Sequence, residues 1–296
     1  MKTDLYERVT AQIVASLEQG VKPWLKPWSA ATPGDAVRPL RANGQPYRGI
    51  NVLMLWGAAA DHGYACPVWM TFKQALELGG CVRKGEHGSL VVYASTFTRT
   101  ETNDNTGEEA ERNIPFLKGY TVFNVEQIDG LPERFLAPAP ALPAGLERIE
   151  RAEAFAAATG AVIRHGGNRA FFSPSGDFVQ MPPLQAFRDA ESYYAVLAHE
   201  LTHWTGHESR LARAFGKRFG DKAYAFEELV AELGSAFLAA DLALTPEPRP
   251  DHAGYLANWL DVLKADKRAI FTAASHAQRA ADFLSNLSPA AQQEAA

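Results

Sequence analysis

The chain has 296 residues, 47% hydrophobic and 21% charged, enough apolar material for packed cores, which excludes a disordered tail or a collagen-like fibre. A net charge of −5 excludes a globally basic nucleic-acid binder, yet residues 1–100 hold 11 Lys and Arg against 7 Asp and Glu, and residues 137–296 hold 15 against 19. Two cysteines, Cys66 and Cys81, are too few for a disulfide-stapled domain, lack CxxC spacing and read as ordinary buried thiols.

Leu5, Val9, Ile13 and Leu17 recur every four residues and predict an amphipathic helix over 3–19, closed by Gly20. Pro23 and, within the stretch, Pro27, Pro33 and Pro39 make 24–39 a loop. Residues 50–61 read as a helix. So do 71–78, with Thr71 as N-cap and Gly79-Gly80 as the stop. SLVVYASTF and YTVFNVEQI are β-branched and aromatic, hence strands, and the polar stretch 101–112 between them reads as an exposed hairpin tip. Pro132, Pro138, Pro140 and Pro143 stiffen a linker and place a domain boundary near 136, with 137–146 as the linker. Beyond it, helices are expected over 147–159, 185–205, 224–241 and 252–286, with a hairpin around Ser173–Gly176 that offers an edge strand to an extended substrate. The fold class is α+β in two domains: 1–136 mixed α and β, and 137–296 mainly α. No run of 18 apolar residues predicts a membrane span, and the first residues lack the apolar stretch of a signal peptide, so a cytoplasmic protein is expected.

Chemistry concentrates at AHELTHWTGHE. His199 and His203, at i and i+4 on a predicted helix, face one side and can share one metal ion. Glu200 follows the first histidine and is placed to act as general base on a water at that metal. Imidazole and carboxylate suit Zn2+, with Mn2+ or another divalent transition metal as an alternative. A third ligand is needed, and AFEELVAELGSAFLAADLAL carries Glu228 and Glu232 at i and i+4 inside an apolar helix, where a carboxylate is out of place unless paired or ligating. Glu227, turned about 100° from Glu228, reads as solvated. His207 reads as a helix-end histidine. Tyr193, Tyr224 and His252 are oxyanion candidates, each also readable as structural.

Residues 22–85 interleave aromatics with bases. Trp24, Trp28, Tyr47, Arg48, Asn51, Trp69, Lys73, Arg83 and Lys84 are the candidate contacts to single-stranded DNA, with rings stacking on bases and cations tracking phosphates. The competing reading puts the tryptophans in the core and the bases on an ordinary surface.

The run EELVAE resembles the downstream helix of gluzincin-type metallopeptidases. That resemblance makes Glu228 the third ligand and Glu232 a residue orienting a ligand histidine, with the reverse assignment as the alternative. Over nearly its whole length the chain resembles the ArdC family of antirestriction proteins, through YRGINVLMLW, WMTFKQALELGGCVRKGEHG and YTVFNVEQIDGLP in the first half and AFFSPSGDFVQMP, HELTHWTGH, EELVAELGSAFL and YLANWLDVLKADKRAIFTAAS in the second. The resemblance implies an N-terminal domain binding single-stranded DNA and a C-terminal zincin-like metallopeptidase domain. It implies protection of incoming plasmid DNA from host restriction during conjugation. A host protein is the candidate substrate for a peptidase there, which the sequence itself does not specify. The alternative function is a DNA-coating protein whose metal is structural or vestigial.

Overall fold

Apolar spacing and local capping build each element. The computed structural model describes residues 4–24, 38–102, 109–135, 145–215, 222–244 and 253–287. Helix α1 (Leu5–Glu18) opens on Asp4, whose carboxylate accepts the Tyr6 N–H at 3.1 Å, and it buries Val9, Ile13 and Leu17. Strand β1 (Leu40–Arg41) leads to α2 (Ile50–His62), where Val52 to Trp56 are all buried, the mark of a helix enclosed by protein. Strand β2 (Val68–Met70) precedes α3 (Phe72–Glu77), which starts at a capping box between Thr71 and Gln74 and runs out at Gly79, φ 82°. Then come β3 (Cys81–Val82), the long β4 (Ser89–Thr102) and β5 (Glu109–Asn124), and β6 (Ile128–Asp129).

β4 and β5 pair antiparallel from Ser89↔Val122 to Thr102↔Glu109, so the expected hairpin is present; residues 103–108 at its tip lie outside the described residues. The sheet order is β1-β2-β5-β4, with β1 parallel to β2, and β3 pairs with β6 separately.

The second half comprises α4 (Gly145–Ala158), β7 (Val162–His165), β8 (Phe171–Ser173), β9 (Phe178–Met181), α5 (Ala190–Thr205), α6 (Lys222–Leu242), α7 (Ala253–Ala265) and α8 (Ala269–Asn286). Its small sheet runs β7-β9-β8, leaving β8 at the edge. The mixture of helix and strand is the α+β class expected, and no described helix is long and apolar enough to cross a membrane. The boundary near 136 and most of the linker fall outside the described residues.

The halves share a core: one continuous buried cluster runs from Val9 through Trp56 and Leu201 to Leu284, and a smaller second cluster of Met70, Ala75, Val125, Ile128, Leu131 and Phe135 lies within the first half. Trp24 meets Trp259 of α7 edge to face at 5.9 Å. Arg38 reaches from the first half to Asp241 at the end of α6 through two bonds of 2.6 Å, and to Gln278 of α8 at 2.8 Å. The same Gln278 oxygen accepts the Gly49 N–H at 3.1 Å. Cys66 is half-buried and Cys81 is exposed, so neither is the fully buried thiol expected.

Candidate metal centre

Helix α5 carries the two histidines because its sequence supplies a cap and a buried stripe. Asp189 caps it, accepting the Ser192 N–H and Oγ–H, both at 2.7 Å; these bonds, the backbone one first, hold its carboxyl below the usual carboxylate range. From Leu197 to Thr205 every residue is buried, since α5 is covered by α6 and α8 and by the small sheet. Helix α6 comes close because Gly234 sits against Thr202: a Cβ built there would stand 2.5 Å from Thr202 Cγ2. That approach brings the α6 carboxylates to the imidazoles.

His199 and His203 point their Nε2 atoms together, 3.2 Å apart. Glu228 sets Oε2 3.5 Å from His199 Nε2 and Oε1 3.5 Å from His203 Nε2. Nitrogen and oxygen ligands bound at 2.0–2.2 Å in a tetrahedron stand roughly 3.3–3.6 Å apart, close to the separation of each imidazole nitrogen from the Glu228 oxygen that faces it. One ligand atom from each of the three lies within 4.8 Å of the others, and all three residues are buried. Of the two carboxylates weighed as third ligand, Glu228 is the one facing both Nε2 atoms. Glu232 lies behind, its Oε1 4.0 Å from His199 Nδ1.

The reading of Glu227 as solvated is overturned. It is 3% exposed, its Oε1 stands 3.2 Å from His203 Nδ1, and it is clasped by the Arg213 guanidinium at 2.8 and 3.0 Å. Residues 227 to 234 are buried all round α6, so a 100° turn leads from one protein contact to another rather than to water. Arg213 is itself buried and also donates to Thr205 Oγ1 and to the Thr202 carbonyl. Sequence reasoning missed both partners; the doubled Glu inside an apolar helix was the available signal, whereas nothing local marks Arg213.

Electrostatically the cluster is built for a cation. Burial depresses the pKa of His203, but Glu227 and Glu228 outweigh it and push the imidazole up to about 10. Burial raises that of Glu228, yet the bonds from His199 and His203 win and hold it far below the carboxylate range. The proton thus retained on His203 occupies charge that a divalent ion can replace. The donor set fits such an ion.

A cavity of about 600 Å³ opens over the cluster, with Glu200 in its wall and Phe171, Phe172, Phe187 and Phe215 as its apolar lining. The edge strand β8 borders it, as anticipated for the hairpin. Tyr224 and Tyr255 line it as well, their hydroxyls 3.3 Å apart. Burial first, then bonds to Tyr255 and Glu228, raise the Tyr224 pKa, so the phenol stays protonated near neutrality. Tyr193 is turned away, with its hydroxyl 2.8 Å from His165 Nε2, and takes no part in the cavity wall. His207 lies just past the helix end, against Ser209 Oγ at 2.8 Å. His252 is outside the described residues.

The candidate DNA contacts fare differently. Trp24 and Trp69 are 1% exposed and Tyr47 is 7%: they fill the core and offer no ring face to a base. Asn51 spends its amide on β4, donating to the Val92 carbonyl and accepting the Val92 N–H, both at 2.8 Å, and thereby ties α2 to the sheet. Arg48 pairs with Asp282, Lys73 with Glu77 at 3.5 Å, and Arg83 with Glu86 at 2.8 Å. Lys84 is exposed, and Trp28 lies outside the described residues.

A pair of histidines on one helix, a facing glutamate on the next and a small sheet bordering the cleft define a zincin-like fold. Residues 150–276 match the zincin-like metallopeptidase family, and such a domain implies a divalent metal. Residues 3–123 match the N-terminal domain of the anti-restriction factor ArdC. The crystal structure of the antirestriction protein ArdC from plasmid R388, metal-free, superposes with a TM-score of 0.81 at 51% identity, covering 96% of this chain and 98% of that one. Its Mn(II)-bound form gives 0.79 at 48% identity, covering 97% and 98%. The uncharacterised protein y4eC of Sinorhizobium fredii is 49% identical over 292 residues, 95% of this chain and 92% of that protein. The DNA primase TraC of Escherichia coli is 38% identical over 300 residues, which is 96% of this chain but 27% of TraC. The chain belongs to the ArdC antirestriction family.

Proposed function

We propose that the protein binds single-stranded DNA and protects incoming plasmid DNA from restriction during conjugation, and that its second half is a divalent-metal-dependent peptidase acting on a host protein. The observation that carries the catalytic half is the buried cluster of His199, His203 and Glu228, with Glu200 in the wall of the cavity above it. Those three side chains would hold the ion, Zn2+ or Mn2+. When bound, the ion polarises a carbonyl and makes a water more acidic. Glu200 takes the proton from the attacking water and passes it to the leaving amine. Tyr224, protonated and facing the cavity, donates to the oxygen on which negative charge develops. Glu227 and Glu232 fix the Nδ1 sides of the two histidines and so orient them. The apolar walls keep bulk water away and receive a large side chain of an extended chain aligned along β8. The family resemblance and the R388 relative support the antirestriction role.

The test is Glu200→Gln in metal-loaded protein, assayed on a quenched peptide library and in a conjugation-protection assay. Retained metal with hydrolysis lowered at least a hundredfold supports the assignment. Wild-type protein that binds metal but cleaves nothing, with protection untouched by Glu200→Gln, favours the DNA-coating alternative with a structural metal.

A further inference from the structure

Of the rings that sequence patterning offered for stacking, Trp24, Tyr47 and Trp69 are buried, yet the first half does present aromatic rings to water. Three of them lie on the β4–β5 hairpin. Tyr93 is 54% exposed, Phe116 37% and Tyr120 39%. The ladder pairs Val91 with Tyr120, Tyr93 with Lys118 and Ser95 with Phe116, so these side chains share one face of the ribbon. Tyr93 and Phe116 rings lie 6.2 Å apart, and the Lys118 ammonium sits 5.0 Å from the Tyr120 ring centroid.

The two faces of the ribbon differ sharply in chemistry. Over residues 89–96 and their partners 115–122, the positions sharing the parity of Tyr93 hold the three rings and the one charge, Lys118, and the positions of opposite parity hold no aromatic and no charge. Farther along the ribbon the register continues the first parity through Arg99, Glu101 and Arg112, two bases to one acid. That second face packs inward at its base. A Cβ on Gly119 would meet Leu5 of α1 at 3.1 Å. At its base the first face is covered as well, with Val91 and Val122 buried, and it reaches water at Tyr93, Phe116 and Tyr120.

We infer that this outward face of the β4–β5 hairpin is the stacking platform for single-stranded DNA. The inference rests on the reading of the protein as a single-stranded-DNA binder. Rings spaced along a pleated ribbon suit successive unpaired bases, while interspersed cations meet phosphates; duplex DNA hides its base faces and gains only the charge contacts. Lys118 among the rings, and an excess of two bases over one acid at the following positions of that face, supply the charge complementarity and favour a polyanion over a basic protein.

The experiment uses the full chain and a fluorescein-labelled oligothymidylate, followed by anisotropy at two salt concentrations. Tyr93→Ala, Phe116→Ala and Tyr120→Ala are expected to weaken binding by about 5- to 150-fold each, the range for loss of one stacked ring. Tyr93→Phe and Tyr120→Phe should bind as the wild type does, because the ring and not the hydroxyl makes the contact. Lys118→Ala should reduce the salt slope by about 0.7, the share of one phosphate on a single strand. Cross-linking of unaltered protein to an iododeoxyuridine oligonucleotide gives a readout independent of folding in the variants, with adducts expected in 91–97 and 114–120. Wild-type binding with unweakened alanine variants, or adducts confined elsewhere, overturns the platform. No binding by wild-type protein overturns the underlying reading and the platform with it.

Discussion

At the scale of single residues, the most consequential is one whose role its position in the sequence concealed. Glu227 is held by Arg213 and in turn holds His203 Nδ1, so it fixes the ring that presents Nε2 to the cluster. Removing such an outer carboxylate costs about 10- to 100-fold in metal affinity elsewhere. Glu227→Gln is therefore expected to weaken Mn2+ or Zn2+ binding by that factor in calorimetry, while Glu228→Gln, which removes a proposed ligand, loses binding more completely. The same pair has a pH signature. In the metal-free protein His203 keeps its proton up to about 10, so an ion entering at neutral pH must displace it. Apparent metal affinity should rise about tenfold per pH unit between 6 and 8 for that one proton. With one carboxylate removed in Glu227→Gln, His203 gives up its proton at lower pH and the slope should flatten. Equal slopes in both proteins would show that Glu227 does not govern the imidazole.

At the scale of elements, local chemistry made most of the second half legible. The HExxH run, the Ala- and Leu-rich run with its paired glutamates and the hairpin around Ser173–Gly176 all appear where spacing put them. Capping signals worked for the same reason: Thr71 with Gln74, and Gly20 and Gly79 at left-handed stops, are decided within a few residues. What sequence could not reveal is which side of an element meets another element. Trp24 and Trp69 have the composition of a binding face and the burial of a core, and Glu227 has the charge of a surface and the environment of a site.

Two predictions belong to this scale. Gly234 permits the close crossing of α5 and α6, so Gly234→Ala should cost about 1–3 kcal/mol through overpacking and should weaken metal binding by displacing Glu228. Urea unfolding and calorimetry read the two effects, and an alanine variant that binds metal normally would separate the crossing from the site. Asp189 caps α5 with a lowered pKa and is partly exposed, so Asp189→Ala should cost about 1 kcal/mol near neutrality. A depressed carboxylate contributes fully above its unfolded value near 4 and loses that contribution as pH falls through its folded value. The difference between wild type and Asp189→Ala should thus be present at pH 6 and shrink towards pH 2.

At the scale of the whole molecule, the two family matches divide a chain whose larger core is shared. Helix α2 of the first half is buried from Val52 to Trp56 and is covered in part by α8 and by Phe237 of α6, whose ring lies 6.1 Å from that of Trp56. Arg38 ties the first half to the C-terminal end of the helix that bears Glu228, and Lys264 and Lys267 pair with Glu18 and Asp4 at 2.7 Å each. An isolated fragment of residues 1–136 would expose α2 to water and leave Arg38 without either of its partners, a loss that a domain holding only a few kcal/mol in reserve does not tolerate. The fragment is therefore expected to lack a cooperative melt, and the full chain to unfold in a single transition by both near-ultraviolet dichroism and tryptophan fluorescence. Because α6 belongs to the shared core, Arg38→Ala should lower the midpoint of that single transition and, by loosening the end of α6, carry metal affinity down with it. Two separate transitions in the full chain, one sensitive to metal and one not, would instead establish halves that fold alone, and DNA-binding experiments could then be carried out on the fragment.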